Sequence, residues 1–196
     1  MTASIYLLRH GETEWNAQGR IQGALDSPLT GKGIRQTRAM GAILARNLAR
    51  PAPPLWCSPL GRARQTLELV CAEAGIDPAQ CRFDDRLREL SWGAWDGMTR
   101  TEIEALVPGA MEARLADHWQ HRPPGGGSYA ELADRLRPLL AEIRATGGIV
   151  VGHGASGRRL RGLGLGPGPA EIGGLAEPQD TVFRLTPGGG MDVLTA

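Results

Sequence analysis

Two short apolar runs in this sequence stop at a histidine followed by glycine: Leu8-Arg9-His10-Gly11 near the start and Val151-Gly152-His153-Gly154 late in the chain. A third run, Leu55-Trp56-Cys57, leads through Ser58-Pro59 to Arg62 and Arg64. If these runs are neighbouring parallel strands, their C-terminal ends gather Arg9, His10, Arg62 and His153 around one pocket, where open α/β sheets bind ligands. Guanidiniums and imidazoles so gathered require an anion, and a phosphate matches the guanidinium fork in geometry and charge. Neighbouring cations also favour the neutral form of a histidine, the form able to attack phosphorus. Taken singly, each group reads as a surface arginine or a satisfied histidine. Four of them at matching strand ends do not.

The elements that must position them alternate between strand and helix. Ile5 to Leu8 has no helical period and reads as a buried strand. Thr30 is placed to cap a helix carrying Ile34, Met40, Ile43, Leu44 and Leu48, ended by Pro51, Pro53 and Pro54. After 55–57, Ala63, Leu67, Val70, Cys71 and Ala74 keep helical spacing up to Gly75. Residues 87–97, rich in Trp and Gly, predict a loop. Ser128-Tyr-Ala-Glu131 is a capping box opening a helix that Pro138 should bend or interrupt. A strand at 148–151, an irregular Gly-rich tract at 162–174 and two closing strands at 181–185 and 191–194 complete the chain. The order predicts an α/β fold, a three-layer α/β/α sandwich with a mostly parallel central sheet and helices on both faces.

The chain of 196 residues suits one catalytic domain spanning 1–196. A net charge of +1, with Lys32 the only lysine, gives no basic surface for nucleic acid. No apolar run is long enough to span a membrane, and the start lacks a signal-peptide pattern, so a cytoplasmic protein is expected. Three cysteines, Cys57, Cys71 and Cys81, without a C-x-x-C pair, predict reduced thiols rather than a disulfide framework.

Four ordered blocks give the sequence a resemblance to the histidine phosphatase superfamily, the branch of cofactor-dependent phosphoglycerate mutases and phosphomonoesterases. They are 8–16 (Leu-Arg-His-Gly-Glu-Thr-Glu-Trp-Asn) with Gln22-Gly23, 58–66 (Ser-Pro-Leu-Gly-Arg-Ala-Arg-Gln-Thr), Leu87-Arg88-Glu89 with Gly93 and Gly97, and 151–154. The resemblance implies that His10 is the nucleophile and that Arg9, Arg62 and His153 hold the phosphoryl oxygens. It further implies that Asn16 contacts phosphate, that Gln22 and Gly23 belong to the substrate loop, and that Glu89 is the proton donor. A leaving alkoxide needs such a proton, and a carboxyl group beside an anionic substrate should be held partly protonated. Glu12 and Asp96 are the next acids to consider for the same role.

The implied activity is hydrolysis of a small phosphorylated metabolite through a phosphohistidine, with no metal or other cofactor. Where mutases carry an arginine and a tyrosine after the acidic donor, this chain has Leu90 and Trp92, and its segment from Glu89 to His153 is shorter. Both favour a phosphatase over the two alternatives, a mutase and a phosphate-binding pseudoenzyme. Gly127 and Gly152 replace a glutamate and a serine frequent in the family.

Other chemistries fit less well. No cysteine has an arginine six positions on, Gly154-Ala-Ser156-Gly157-Arg158 lacks the last glycine of a serine-hydrolase elbow, and the Gly-rich tract lies too late for a dinucleotide site. Asp117-His118-x-x-His121 reads as a solvated helix face rather than a metal site. Trp92 and Trp95 suit either the substrate mouth or the core.

Overall fold

The computed structural model describes residues 3–166, 172 and 174–195. Its six strands are β1 (Ile5–Arg9), β2 (Leu55–Cys57), β3 (Arg82–Phe83), β4 (Gly148–Gly152), β5 (Val182–Leu185) and β6 (Met191–Leu194), in the sheet order β3-β2-β4-β1-β5-β6. The first four run parallel, and β5 and β6 are antiparallel additions. The helices are α1 (Glu14–Ala17), α2 (Gly31–Asn47), α3 (Gly61–Ala74), α4 (Arg100–Leu106), α5 (Ala110–Ala116), α6 (Tyr129–Thr146) and α7 (Gly154–Leu165).

The period of two along each strand divides the core. Ile5, Leu7, Trp56 and Val150 pack on one face against Leu132, Leu136, Leu139, Leu140 and Ile143 of α6 and Leu160 of α7. Tyr6, Leu8, Leu55, Cys57, Ile149 and Val151 pack on the other against Met40, Ile43 and Leu44 of α2 and Leu67, Val70 and Cys71 of α3. Strands covered on both faces read as continuous apolar runs, the form seen at 5–8, 55–57 and 148–151. Each fully buried Leu, Ile or Val contributes roughly 1.5–3 kcal/mol, so this sheet is the rigid part of the molecule.

The caps match the chemistry of their residues. Thr30 accepts from the Gly33 N–H at 3.0 Å, and Ser128 and Glu131 close their box at the start of α6. Gly75 ends α3 at φ 64°, a left-handed position that favours glycine. α6 runs without a break to Thr146, so the interruption expected at Pro138 does not occur. Pro138 lies on the exposed side, where the one carbonyl it leaves unpaired meets water.

Three further expectations need correction. The tract expected to be irregular from 162 is helical to Leu165. Its glycine is a packing requirement, since a Cβ on Gly162 would lie 2.3 Å from Ile172; positions 167–171 and 173 of that tract fall outside the described residues. β3 went unforeseen because its two residues are exposed and not an apolar run. α1, α4 and α5, at four to seven residues, are too short to show a period. The loop expected at 87–97 is irregular apart from short 3-10 turns at Asp85–Leu87 and Gly93–Trp95. No helix among the described residues is long and apolar enough to cross a membrane.

Candidate active site

Register brings the two histidines together. Arg9 of β1 pairs with Gly152 of β4, and the His10 N–H donates to the Gly152 carbonyl at 3.0 Å. The His10 and His153 rings meet edge to face with centroids 5.3 Å apart. Cys57 of β2 pairs with Val151 on the other side of β4, and the Ser58 N–H donates to the Val151 carbonyl at 3.0 Å. Three adjacent parallel strands thus deliver Arg9 and His10, Ser58, and His153 to one end of the sheet.

Both rings are buried, and their hydrogen bonds define which nitrogen carries the proton. His10 Nδ1 lies 2.8 Å from the Gly11 carbonyl, which can only accept. Nδ1 therefore holds the hydrogen, and Nε2 presents a lone pair. Burial first, then the Arg9 and Arg62 guanidiniums, push the His10 pKa well below 6.5 and keep the ring neutral. His153 Nε2 lies 2.7 Å from Ser58 Oγ, which accepts from the Leu60 N–H at 3.4 Å and so has its own hydrogen to give. When Ser58 gives that hydrogen to Nε2, His153 carries its own on Nδ1, which has no protein partner. Burial, then Arg62 and His10, hold the His153 pKa well below its ordinary value too.

The arginines are fixed by their outer nitrogens. Arg62, 1% exposed, donates through Nη1 to Asp26 Oδ1 at 3.0 Å and to the Leu25 carbonyl at 2.6 Å, and through Nη2 to the Gly23 carbonyl at 2.9 Å. Arg9 Nη1 donates to the Glu177 carbonyl, with the Glu177 carboxylate 3.9 Å away. In both arginines Nε is buried without a protein partner. Burial lowers the Arg9 pKa, opposed by Glu177 and Glu89. Arg64, also at the start of α3, turns away: its guanidinium lies 4.0 Å over the Phe83 ring.

Glu89 sits against the N-terminus of α7. Its Oε2 accepts from the Ala155 N–H at 2.9 Å, and its Oε1 from the Ser156 and Leu90 N–H groups at 3.1 and 2.9 Å. Backbone donors at a helix start suit an acidic side chain and fix its direction. Asn16 Oδ1 accepts from the Thr13 N–H at 3.2 Å and from Gln179 Nε2 at 3.0 Å, so its amide nitrogen is left to donate elsewhere. A cavity of about 240 Å³ is lined by Arg9, His10, Asn16, Gln22, Gly23 and Glu89 on one side and by Leu90, Trp92, Arg100 and Tyr129 on another. Gly23 adopts φ 51°, and a Cβ there would lie 1.7 Å from Asp96 Oδ1. Asp96 in turn accepts from Ala24 N–H, Trp92 N–H and Ser91 Oγ.

Asp96 is thereby committed to holding two loops, and Glu12 is paired with Lys32 at 2.7 Å and Thr30 at 3.0 Å. Neither acid lines the cavity. Trp92 lines it, whereas Trp95 is buried with Ile103 and Ala110. Asp117, His118 and His121 do not form a solvated helix face: α5 ends at Ala116, His118 stacks on Tyr129 at 4.5 Å and His121 on Trp95 at 6.3 Å. Among the described residues no three His, Cys, Asp or Glu side chains are placed to hold a metal. Residues the sequence did not single out are Ser58, Asp26, Thr66, Glu177 and Gln179. Thr66 Oγ1 ties the Gly11 N–H to the Arg62 carbonyl, and Ser58 and Thr66 lay in a matched block without any assigned role.

Comparisons with known proteins agree with this geometry. The chain is 38% identical over 162 residues to the Salmonella paratyphi C protein named "Probable phosphoglycerate mutase GpmB", covering 76% of this chain and 69% of that one. A mycobacterial glucosyl-3-phosphoglycerate phosphatase, solved with VO3, superimposes with a TM-score of 0.80 at 31% identity over 93% of this chain and 92% of that one. The alpha-ribazole phosphatase of Shigella flexneri shares the fold, with a TM-score of 0.80 at 22% identity over 98% and 96% of the two chains. Residues 5–192, a span that contains both histidines and the strands that deliver them, match the model of the histidine phosphatase superfamily (branch 1), and the chain is an enzyme of that family.

Proposed function

We propose that this enzyme hydrolyses a small phosphate monoester through a phosphohistidine on His10. The observation that carries the reading is a set of three buried donors without protein partners around one neutral imidazole: Arg9 Nε, Arg62 Nε and His153 Nδ1. Buried donors normally find a partner. A phosphoryl group bound beside His10 Nε2 would supply acceptors to all three, with the Asn16 amide as a fourth donor.

In the first step His10 Nε2 attacks phosphorus, the P–O bond to the ester oxygen breaks, and Glu89 gives that oxygen a proton. In the second, water attacks phosphorus and its proton passes to the Glu89 carboxylate. The P–N bond then breaks, which returns His10 to its neutral form and releases inorganic phosphate. The Gly11 carbonyl steadies the imidazole by accepting from Nδ1–H throughout, a bond that strengthens as the ring gains positive charge. The guanidiniums act where charge builds on the equatorial oxygens, and one such preorganised donor is worth roughly 3–4 kcal/mol. Those donors also carry the phosphoryl charge without a divalent ion.

Hydrolysis rather than mutase chemistry is favoured by Leu90. Its side chain is 4% exposed and lines the cavity, so it offers nothing to a substrate carboxylate at that position. The test is phosphate release from p-nitrophenyl phosphate in the presence of EDTA, with peptide mass analysis of the quenched enzyme. Release should persist, and the peptide containing His10 should gain one phosphoryl group that His10→Ala lacks. Conversion of 3-phosphoglycerate to 2-phosphoglycerate at a rate comparable to the best ester would replace the hydrolase reading by a mutase one.

A further inference from the structure

The chemistry proposed for His10 uses none of the three thiols. Cys57 ends β2, Cys71 sits in α3, and Cys81 comes just before β3. Cys57 and Cys71 are buried in the core between the sheet, α2 and α3, and Cys81 is half-buried against it. Parallel register sets Cys57 opposite Phe83, so Cys81, two residues before that partner, leaves the sheet on the same face as Cys57. β3 is an edge strand of two exposed residues, which leaves Cys81 within reach of a small solute.

The thiols are not alike. A hydrogen bond to Cys81 first, and then burial, push the Cys57 thiol well above its ordinary value. The same bond holds the Cys81 thiol below its ordinary value; burial opposes it and the Arg64 guanidinium adds to it. Burial, then Cys81 and Asp77, raise Cys71 to about 11. Thiolate character, partial exposure and a nearby guanidinium together make an oxidisable cysteine. Cys57 is the protonated partner at its side. It also touches the active site, since its Sγ lies 3.2 Å from the Ser58 carbonyl and Ser58 Oγ lies 2.7 Å from His153 Nε2. On the other side the Cys57 carbonyl accepts from the Asp84 N–H at 3.0 Å, just after β3.

We propose that Cys57 and Cys81 form a reversible oxidation site, closed to a disulfide by a peroxide, and that closure slows the enzyme through the turn at Ser58. The Cys81 thiolate attacks one peroxide oxygen. An S–O bond forms, the O–O bond breaks, and the departing hydroxide takes up the proton that Cys81 gave to solvent. Cys57 sulfur then attacks Cys81 sulfur. The S–S bond forms, the S–O bond breaks, and the departing hydroxide takes the Cys57 proton as a second water. Two thiols lose two electrons and peroxide gains them. The bridge removes the hydrogen that Cys57 can offer the Ser58 carbonyl and draws β3 along β2, so the turn that aims Ser58 at His153 shifts. A bridge imposed on packed strands is strained, and strained bridges are readily reduced.

The reduced enzyme, freed of reductant, would be treated with equimolar hydrogen peroxide, alkylated under denaturing conditions and digested. Of the three cysteines, Cys71 alone should carry the alkyl group, and the peptides of Cys57 and Cys81 should be joined. Turnover of p-nitrophenyl phosphate by the same sample should fall about tenfold, the order of one oriented hydrogen bond, and return with dithiothreitol. Cys81→Ser, a change at a half-exposed position, should form no bridge and keep its turnover in peroxide. Three alkylated cysteines after peroxide, or a bridge that includes Cys71, would overturn the site. A Cys57–Cys81 bridge with unchanged turnover would overturn its link to Ser58, as would an equal loss in Cys81→Ser. The peptide readout needs no turnover, so a failure of the hydrolysis reading is recognised separately, by untreated enzyme that releases no phosphate.

Discussion

The floor of the cavity and its outer wall are built in opposite ways. The floor is the end of three neighbouring parallel strands: Arg9 and His10 line it, and the register sets His153 against His10 and Ser58 against His153. Each cation there meets an acid, and each imidazole is oriented by one hydrogen bond. The wall is drawn from residues 90–129, where α4 and α5 have seven residues each and pack round a small cluster of Trp95, Ile103 and Ala110. Arg114 there rests on the Trp92 and Tyr129 rings rather than on a carboxylate. The difference separates two tasks. On the proposed function, the phosphoryl-transfer groups other than Glu89 gather at the sheet end, and recognition of the rest of the ester falls to short segments that sequence change can reshape.

That division is most sharply tested by mutation on each side. His10→Ala should reduce turnover of every ester to the background rate, because it removes the covalent route itself. Trp92→Ala should alter KM by an amount that differs from ester to ester. An equal loss across esters in Trp92→Ala would show that the wall belongs to the chemistry after all.

Glu89→Gln is expected to come next in size, and its effect should depend on the leaving group. An alkyl ester leaves as a strongly basic alkoxide and should lose about 10²–10⁴-fold in the phosphorylation step. p-Nitrophenolate departs without a proton and should lose far less. Rapid-quench burst kinetics with both esters gives the comparison. Equal burst-phase losses would remove Glu89 from the role, although Asp96 and Glu12, held by loop and surface contacts, are poorly placed to replace it.

A smaller effect is expected for Ser58→Ala. Its Oγ lies 2.7 Å from His153 Nε2, and on the proposed function its hydrogen bond fixes the tautomer, so its loss frees the ring to place its hydrogen on either nitrogen. A fall in kcat of about tenfold, the order of one oriented hydrogen bond, should appear, with partial recovery in Ser58→Thr. No change in Ser58→Ala would mean that the bond does not set the tautomer.

The floor was legible in the sequence and the wall was not, for a physical reason. A strand buried on both faces announces itself as an apolar run, and Ile5-Tyr-Leu-Leu8 ends at Arg9-His10 without any help from distant residues. The helices α2, α3 and α6 likewise showed their period and caps. Arg100, Arg114 and Tyr129 come from three segments whose meeting depends on turns such as Gly93, at φ 58°, and no local pattern specifies it. Glu177 and Gln179 reach Arg9 and Asn16 from far along the chain, and their spacing carries no signal. Two expectations failed because one rule was applied alone. Glycine lowers helix propensity, but Gly162 lets Ile172 approach α7. Asp117, His118 and His121 have helical spacing, but the helix stops before them and the rings stack instead.

The smallest effect concerns stability in mild acid, and it too distinguishes floor from wall. His10 and His153 are buried and held neutral with pKa values well below 6.5. In the unfolded chain they titrate near the ordinary value. Above pH 6.5 neither state binds the proton, and stability is insensitive to these groups. As pH falls below 6.5 the unfolded chain takes up protons that the folded state refuses, so unfolding becomes easier, by at most about 1.4 kcal/mol per pH unit for each histidine. Glu12, Glu102 and Glu142 have lowered pKa values, with side-chain or backbone hydrogen bonds as the first cause. Their contributions are lost only as pH falls through the carboxylate range, below this window. His118 on the wall is also shifted down, by partial burial and then by Arg114 and Arg159, but it is incompletely buried and should contribute less. Urea unfolding at pH 7.5 and 5.5, in a buffer free of phosphate, should therefore show a loss for the unmodified enzyme. The loss should be clearly smaller in His10→Gln and only slightly smaller in His118→Gln. If His118→Gln relieved the acid loss as much as His10→Gln, the floor would not be the distinct electrostatic unit described above.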